Sequence, residues 1–231
     1  MRNPSNRLFA FFFFLFLTAA LTPAPSVWAD EAKAALTVEM ISQKVADAQS
    51  KIQDVQMDLK MRMQDTLSGK TQEVEGSVVM KSPNLVYAHY KKPSEQFLYI
   101  NGSMIQMYQP GQNMVYQQES PKGAGGAAGP VYLGVGQELK RYMDISRVSI
   151  SQNSDDQVVL LFIPKADDAA FTRMKVFIHK KDWWPYRMEV ETPALITQSE
   201  FSNFRFNQGV DSKVFQFVKP HGADVVQGAI F

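Results

Sequence analysis

Apolar and polar residues follow a helical spacing near the start of the chain. Val38, Ile41, Val45 and Ile52 recur at intervals close to 3.6 residues, with polar residues between them. This spacing predicts an amphipathic helix over Leu36 to Lys51 with a single apolar stripe. Such a helix must lie against another apolar surface.

From Val55 onward the period changes to two. Apolar residues alternate with charged or polar ones, so each predicted strand has one apolar face and one face that meets water. The pattern predicts about eleven strands. The first begins at Val55, and the others are Gln72 to Lys81, Leu85 to Tyr90, Gln96 to Ile100, Ser103 to Gln109, Met114 to Gln118, Ile145 to Ser151, Gln157 to Pro164, Phe171 to His179, Pro185 to Glu191 and Ile196 to Phe206.

Turn residues connect these strands into an antiparallel meander. Asn101-Gly102 favours a tight hairpin, because both residues adopt positive φ readily. A glycine-rich segment over residues 121–130 predicts a loop, followed by a short helix from Gly136 to Met143. We therefore expect a mainly β (α+β) fold, an unclosed antiparallel barrel with two or three helices over an apolar concavity.

The first 29 residues read as an export signal. Arg2 and Arg7 precede an apolar stretch from Leu8 to Leu21, and Val27-Trp28-Ala29 has the small-residue pattern for cleavage after Ala29. The alternative is an uncleaved anchor, but the apolar stretch is shorter than the ~20 residues of a spanning helix. We expect a mature domain over residues 30–231, free in the periplasm.

Composition excludes several classes of function. The chain has 24 Lys and Arg against 23 Asp and Glu, so no basic excess points to nucleic acid. It has no cysteine, which excludes disulfides, thiolate metal sites and a lipidated amino terminus. His89, His179 and His221 are scattered, and no hydrolase or phosphate-binding motif is present. We expect no enzymatic activity, no metal and no cofactor, and a monomer.

An apolar concavity can either be filled by its own side chains, as in a structural adaptor, or hold an apolar ligand. The chain has 12 methionines, whose flexible side chains suit variable apolar ligands but also fill irregular cores. With a helix and a loop available as a lid, the pattern favours a lipid carrier.

Three segments carry a resemblance to a known family. Residues 76–85 read GSVVMKSPNL, residues 101–110 read NGSMIQMYQP, and residues 215–225 read FQFVKPHGADV. In this order and spacing they resemble the LolA family of periplasmic lipoprotein carriers, over nearly the whole mature length from Leu36 to about Val226. The resemblance implies an unclosed barrel whose concavity holds the acyl chains of a lipoprotein. It also implies an inner-membrane ABC transporter that supplies the cargo and an outer-membrane acceptor that receives it.

The resemblance supplies the strand register and therefore a set of candidate lipid-binding residues. They are Met57, Leu59, Met61, Met63, Val78, Met80, Val86, Met107, Met174, Val176, Ile178, Met188 and Val190. Val86 stands where the family has a phenylalanine important for transfer. Ser82 stands where the family has an arginine that latches the lid, so closure is expected to depend more on Val38, Ile41 and Val45. The rival hypotheses on the same fold are a lipid-sensing envelope-stress regulator and a carrier of another amphiphile.

Overall fold

A computed structural model describes residues 35–102, 104–119, 138–167, 169 and 171–228. The predicted signal peptide and the glycine-rich segment over residues 121–130 lie outside the described residues.

Most of the described chain is β-structure. Two α-helices are present in this part of the chain, α1 (Val38–Ser50) and α2 (Glu138–Ile145), with short 3₁₀ turns at Pro110–Gln112 and Ser212–Phe215. The strands are β1 (Asp54–Asp65), β2 (Thr71–Lys81), β3 (Leu85–Lys92), β4 (Gln96–Asn101), β5 (Met104–Gln109), β6 (Met114–Glu119), β7 (Ser146–Asn153), β8 (Gln157–Pro164), β9 (Arg173–His179), β10 (Pro185–Glu191), β11 (Leu195–Phe206) and β12 (Asp224–Gln227).

All described strands belong to one sheet, in the order β12-β6-β5-β4-β3-β2-β1-β11-β10-β9-β8-β7. Every neighbouring pair is antiparallel except β12 and β6, which are parallel. Strands β12 and β7 are the two edges, and they do not pair with each other. The predicted mainly β fold with an unclosed antiparallel sheet is confirmed.

The local sequence explains the turns and one irregularity of the sheet. Gly102 adopts a φ of +63° in the β4–β5 hairpin, whereas Asn101 ends β4 and pairs with Met104, so only one residue of the Asn-Gly pair has the expected positive φ. Gly76 lies at a register shift between β2 and β3. A Cβ added to Gly76 would stand 2.4 Å from the backbone oxygen of His89, so the close approach of these strands requires glycine.

The apolar residues of the sheet form two clusters. The strand cluster is drawn from β1–β5, β11 and the β9–β10 turn, and its buried members are Val55, Met57, Leu59, Val74, Val78, Met80, Val86, Ala88, Tyr90, Leu98, Ile100, Ile105, Met107, Trp184 and Phe201. The helix cluster is drawn from the two helices, β8–β10 and Phe171, and its buried members are Ile41, Val45, Leu139, Val158, Leu160, Phe162, Phe171, Met174, Val176, Ile178 and Met188.

The chain after β11 crosses the outer face of the sheet before it forms β12. We call residues 207–223 the crossing segment. Lys81 donates a hydrogen bond from Nζ to the Val210 oxygen (2.6 Å), and the rings of Phe217 and Tyr99 lie 5.3 Å apart. Lys81 and Tyr99 alternate with buried Met80 and Leu98, so their side chains point to the other face.

A buried carboxylate fixes the start of the crossing segment. Asp54, at the beginning of β1, is 2% exposed. Its carboxylate oxygens accept hydrogen bonds from the backbone N–H groups of Gln208 (2.8 Å), Gly209 (3.0 Å) and Val210 (3.2 Å). A buried charge is stabilised when several donors satisfy it in this way.

Candidate functional site

The strand register places the apolar side chains in continuous rows across one face of the sheet, the interior face. Cα partners in neighbouring strands point to the same side, so each row is read directly from the pairing. One row through the strand cluster contains Met57, Val78, Ala88, Leu98, Met107 and Tyr116. A second row, continuing toward the helix cluster, contains Val74, Met61, Ser199, Met188, Val176, Leu160 and Ile150.

All thirteen residues named from the sequence as candidate lipid-binding positions lie on this face, but they divide between the clusters. The strand cluster contains Met57, Leu59, Met61, Met63, Val78, Met80, Val86 and Met107. The helix cluster contains Met174, Val176, Ile178, Met188 and Val190. Met61, Met63 and Val190 are half-buried, and the others are buried.

Two hydroxyl-bearing residues separate the clusters. Ser199 and Thr197 on β11 are 1% and 7% exposed and lie on the interior face. Ser199 aligns with Met61 on one side and Met188 on the other. The interior face is therefore apolar on both sides of β11, and the two hydroxyl groups of Thr197 and Ser199 lie between the apolar regions.

Helix α1 packs its apolar stripe on the helix cluster. Ile41 and Val45 are 0% and 1% exposed, and Val38 is half-buried. The side chain of Thr37 accepts a hydrogen bond from the Met40 N–H (3.2 Å) and caps the helix. Lys44 Nζ lies 4.9 Å from the ring centroid of Trp183, a cation–π contact with the β9–β10 turn.

Ser82 lies away from that stripe, in the turn between β2 and β3. It is exposed, and its backbone N–H donates to the Gln53 oxygen (2.9 Å), directly after the end of α1. Val86 is 2% exposed in the strand cluster, where it pairs with Met80. The structure thus brings Ser82 beside the connection from α1 to β1, and Val86 into the apolar interior.

Several interior residues were not singled out from the sequence. Leu98 and Ile100 lie in the run Phe97 to Ile100, in which both faces of the strand are apolar or aromatic, so alternation does not show which side chains point inward. Trp184 lies in the turn between β9 and β10, yet it is 4% exposed and its ring lies 5.0 Å from that of Phe206. Phe206 is distant from Trp184 in sequence, and no local sequence pattern predicts a contact between them.

Tyr90 is a polar side chain at the margin of the strand cluster. It is 6% exposed, and burial raises the pKa of its hydroxyl well above the ordinary value. The phenol stays protonated at physiological pH, so the interior face carries no charge at this position.

The described residues contain no group of three or more His, Cys, Asp or Glu side chains arranged to hold a metal ion. No helix in the described part of the chain has the length and apolar character needed to cross a membrane.

An unclosed, mostly antiparallel sheet with an apolar interior face and helices packed on that face is an architecture that can hold an apolar ligand. Residues 50–218 match the family model described as "Outer membrane lipoprotein carrier protein LolA". The chain belongs to the LolA family.

Sequence relatives agree with this assignment. The chain is 29% identical to an outer-membrane lipoprotein carrier protein of Methylobacillus flagellatus, over 70% of this chain and 77% of the relative. It is 24% identical to the protein of that name in Legionella pneumophila (strain Corby), over 82% and 93%. An uncharacterized conserved protein from Thermus thermophilus shares the fold at a TM-score of 0.52 and 14% identity, covering 81% of this chain and 99% of that one.

Proposed function

We propose that the protein is a periplasmic carrier that holds the acyl chains of lipoproteins and conveys them from the inner to the outer membrane. The observation that carries the proposal is the interior face, whose apolar rows run through both clusters of a chain in the LolA family. Each CH₂ transferred from water to an apolar surface contributes about 0.8 kcal/mol, so shielding several acyl chains is a large effect.

Binding requires the interior to open. Val78, Leu98 and Val176 are 0% exposed. Acyl chains must therefore replace side-chain contacts that now close the two clusters. Helix α1 packs on the face through a few apolar residues, and its displacement uncovers the helix cluster without breaking strand pairing. We propose α1 as the lid, with Val38, Ile41 and Val45 as its closing contacts.

The route of cargo follows from this role. An inner-membrane ABC transporter would load the carrier and an outer-membrane acceptor would unload it, so the carrier itself needs no nucleotide site. The role also requires export, which the predicted cleavage after Ala29 provides. Amino-terminal sequencing of protein from the periplasm should begin at Asp30.

Site-specific crosslinking tests the proposal directly. A photo-crosslinking amino acid at Met107, on the interior face, should capture acylated lipoprotein in living cells. The same group at the adjacent Gln106, whose side chain lies on the outer face of β5, is the matched control and should not. Capture of phospholipid alone from Met107 would favour a carrier of another amphiphile, and capture of neither would contradict the proposal.

A further inference from the structure

One buried hydroxyl on the interior face has no hydrogen-bond partner in the described part of the chain. Ser199 is 1% exposed, and its Oγ is unpaired. Its neighbours in the register are Met61 and Met188, so the hydroxyl is set among apolar side chains. An unpaired buried hydroxyl destabilises a fold, and such a group in a native protein requires an explanation.

The position of Ser199 suggests the explanation. Met61 packs with the strand cluster and Met188 belongs to the helix cluster, so the hydroxyl lies where the two apolar regions meet. Methionine side chains are unbranched and adaptable, and these two can move aside to admit a ligand. A ligand with two or more acyl chains could place one acyl chain in each cluster. The group that joins the acyl chains would then lie beside Ser199.

We propose that the Ser199 hydroxyl donates a hydrogen bond to an ester or amide carbonyl of a multiply acylated ligand. The inference rests on the proposed function. Hydrocarbon offers no hydrogen-bond acceptor, whereas the carbonyl next to an acyl chain enters the apolar interior with it. A serine hydroxyl supplies the matching donor. Ser199 then recognises the junction between acyl chains and head, which distinguishes an acylated ligand from a plain hydrocarbon.

Ester-linked and ether-linked lipids of equal chain length test the role of the carbonyl. Dipalmitoyl phosphatidylglycerol and its dihexadecyl ether analogue would each displace the apolar probe 1-N-phenylnaphthylamine from the purified mature protein. The wild-type protein should prefer the ester by about three- to tenfold, the range expected for one net hydrogen bond. Ser199→Ala should lose this preference while keeping its affinity for the ether lipid.

Ser146 provides a matched control, since its Oγ is also buried and unpaired. It lies at the first residue of the edge strand β7, far along the sheet from β11. Ser146→Ala should keep the ester preference. Both alanine variants should melt at the wild-type temperature or a few degrees above it, because each removes an unpaired hydroxyl.

Two further arms identify the source of the carbonyl and separate the two proposals. A tripalmitoyl-cysteinyl peptide that competes better than the phospholipid, and loses that advantage in Ser199→Ala, indicates a lipoprotein ligand. An ester preference that survives in Ser199→Ala overturns the inference but not the carrier function. A lowered melting temperature for Ser199→Ala has the same meaning, because it would show that the hydroxyl has a partner within the protein. A wild-type protein from which no lipid displaces the probe overturns both.

Discussion

The two apolar clusters of the interior face are covered in different ways. The helix cluster includes Ile41 and Val45 of α1 and Leu139 of α2, so helices close it. Among the described residues, neither α-helix contributes a side chain to the strand cluster. There the rings of Trp184 and Phe206 lie 5.0 Å apart and pack with the strands.

This difference gives the two parts of the interior different ways of opening. Opening the strand cluster means displacing side chains that the paired strands of the sheet hold in place. Opening the helix cluster means displacing α1, which breaks side-chain contacts but leaves the backbone hydrogen bonds between the strands intact. The comparison predicts that substitutions in the strand cluster reduce global stability, whereas substitutions under α1 change access to the interior.

The largest expected effect comes from a charge in the strand cluster. Met80 is 2% exposed, and Met80→Glu places a carboxylate with no partner in the apolar interior. We expect a loss of more than about 3 kcal/mol in the free energy of unfolding, measured by urea denaturation. Leu67→Glu is the control, since Leu67 is 94% exposed in the β1–β2 turn. Equal denaturation midpoints for the two variants would contradict the assignment of Met80 to the core.

The next largest effect is expected at Gly76, where β2 and β3 approach each other closely. Gly76→Ala forces a Cβ against the His89 backbone, which cannot move without disturbing β3. We expect a cost of about 1–3 kcal/mol, the range for overpacking a well-ordered site. Gly111→Ala should cost much less, because no atom lies within 4 Å of its added Cβ. Similar melting temperatures for both variants would show that β2 and β3 adjust freely.

A milder substitution addresses the lid. Val45→Ala removes two methyl groups from the contact of α1 with the helix cluster and should cost about 1–2 kcal/mol. Hydrogen exchange should quicken in α1 and remain unchanged in β1–β5. Met40→Ala, on the exposed side of the same helix, controls for helix propensity. Faster exchange spread evenly over β1–β5 would show that the two clusters open as one unit.

The smallest effect concerns the latch position. An arginine at residue 82 would extend from the turn beside Gln53, next to the end of α1. Ser82→Arg should therefore slow uptake of an apolar probe and protect α1 amides by a few fold, as expected for a weak charge-assisted hydrogen bond. Asn84→Arg in the same turn is the matched control. Unchanged uptake and exchange in Ser82→Arg would mean that this position does not act on the lid.

Alternation and turn residues were enough to predict most of the sheet. A strand with one face buried and one face in water has apolar and polar residues in alternation, so its own sequence identifies it. The predicted helix over Leu36 to Lys51 agrees with α1 to within two residues. The second helix begins at Glu138 and ends at Ile145, two residues later than its predicted end at Met143. The end of this helix is hard to predict, because the helix contains many polar residues and β7 follows it without an intervening turn.

Two features had no local signal. Strand β12 has four exposed residues and pairs in parallel with β6, so neither length nor alternation marked it as a strand. The division of the interior face into two clusters depends on how the sheet bends and where the helices pack. The strand β11 has no clear alternation, so the sequence does not show that Ser199 faces the interior, and the absence of a hydrogen-bond partner within the described chain depends on distant strands.

The crossing segment has a mechanical consequence. It leaves the end of β11, is held at Asp54 and by buried Phe215, and ends in β12 on the far side of β6. At a spacing of about 4.8 Å per strand this path spans roughly 34 Å of sheet. Because the crossing segment is attached at several of these strands, we expect it to limit changes in the breadth of β1–β6. We therefore expect the strands spanned by the crossing segment to keep their relative positions when cargo enters, so that a change in the shape of the sheet is concentrated in β7–β10.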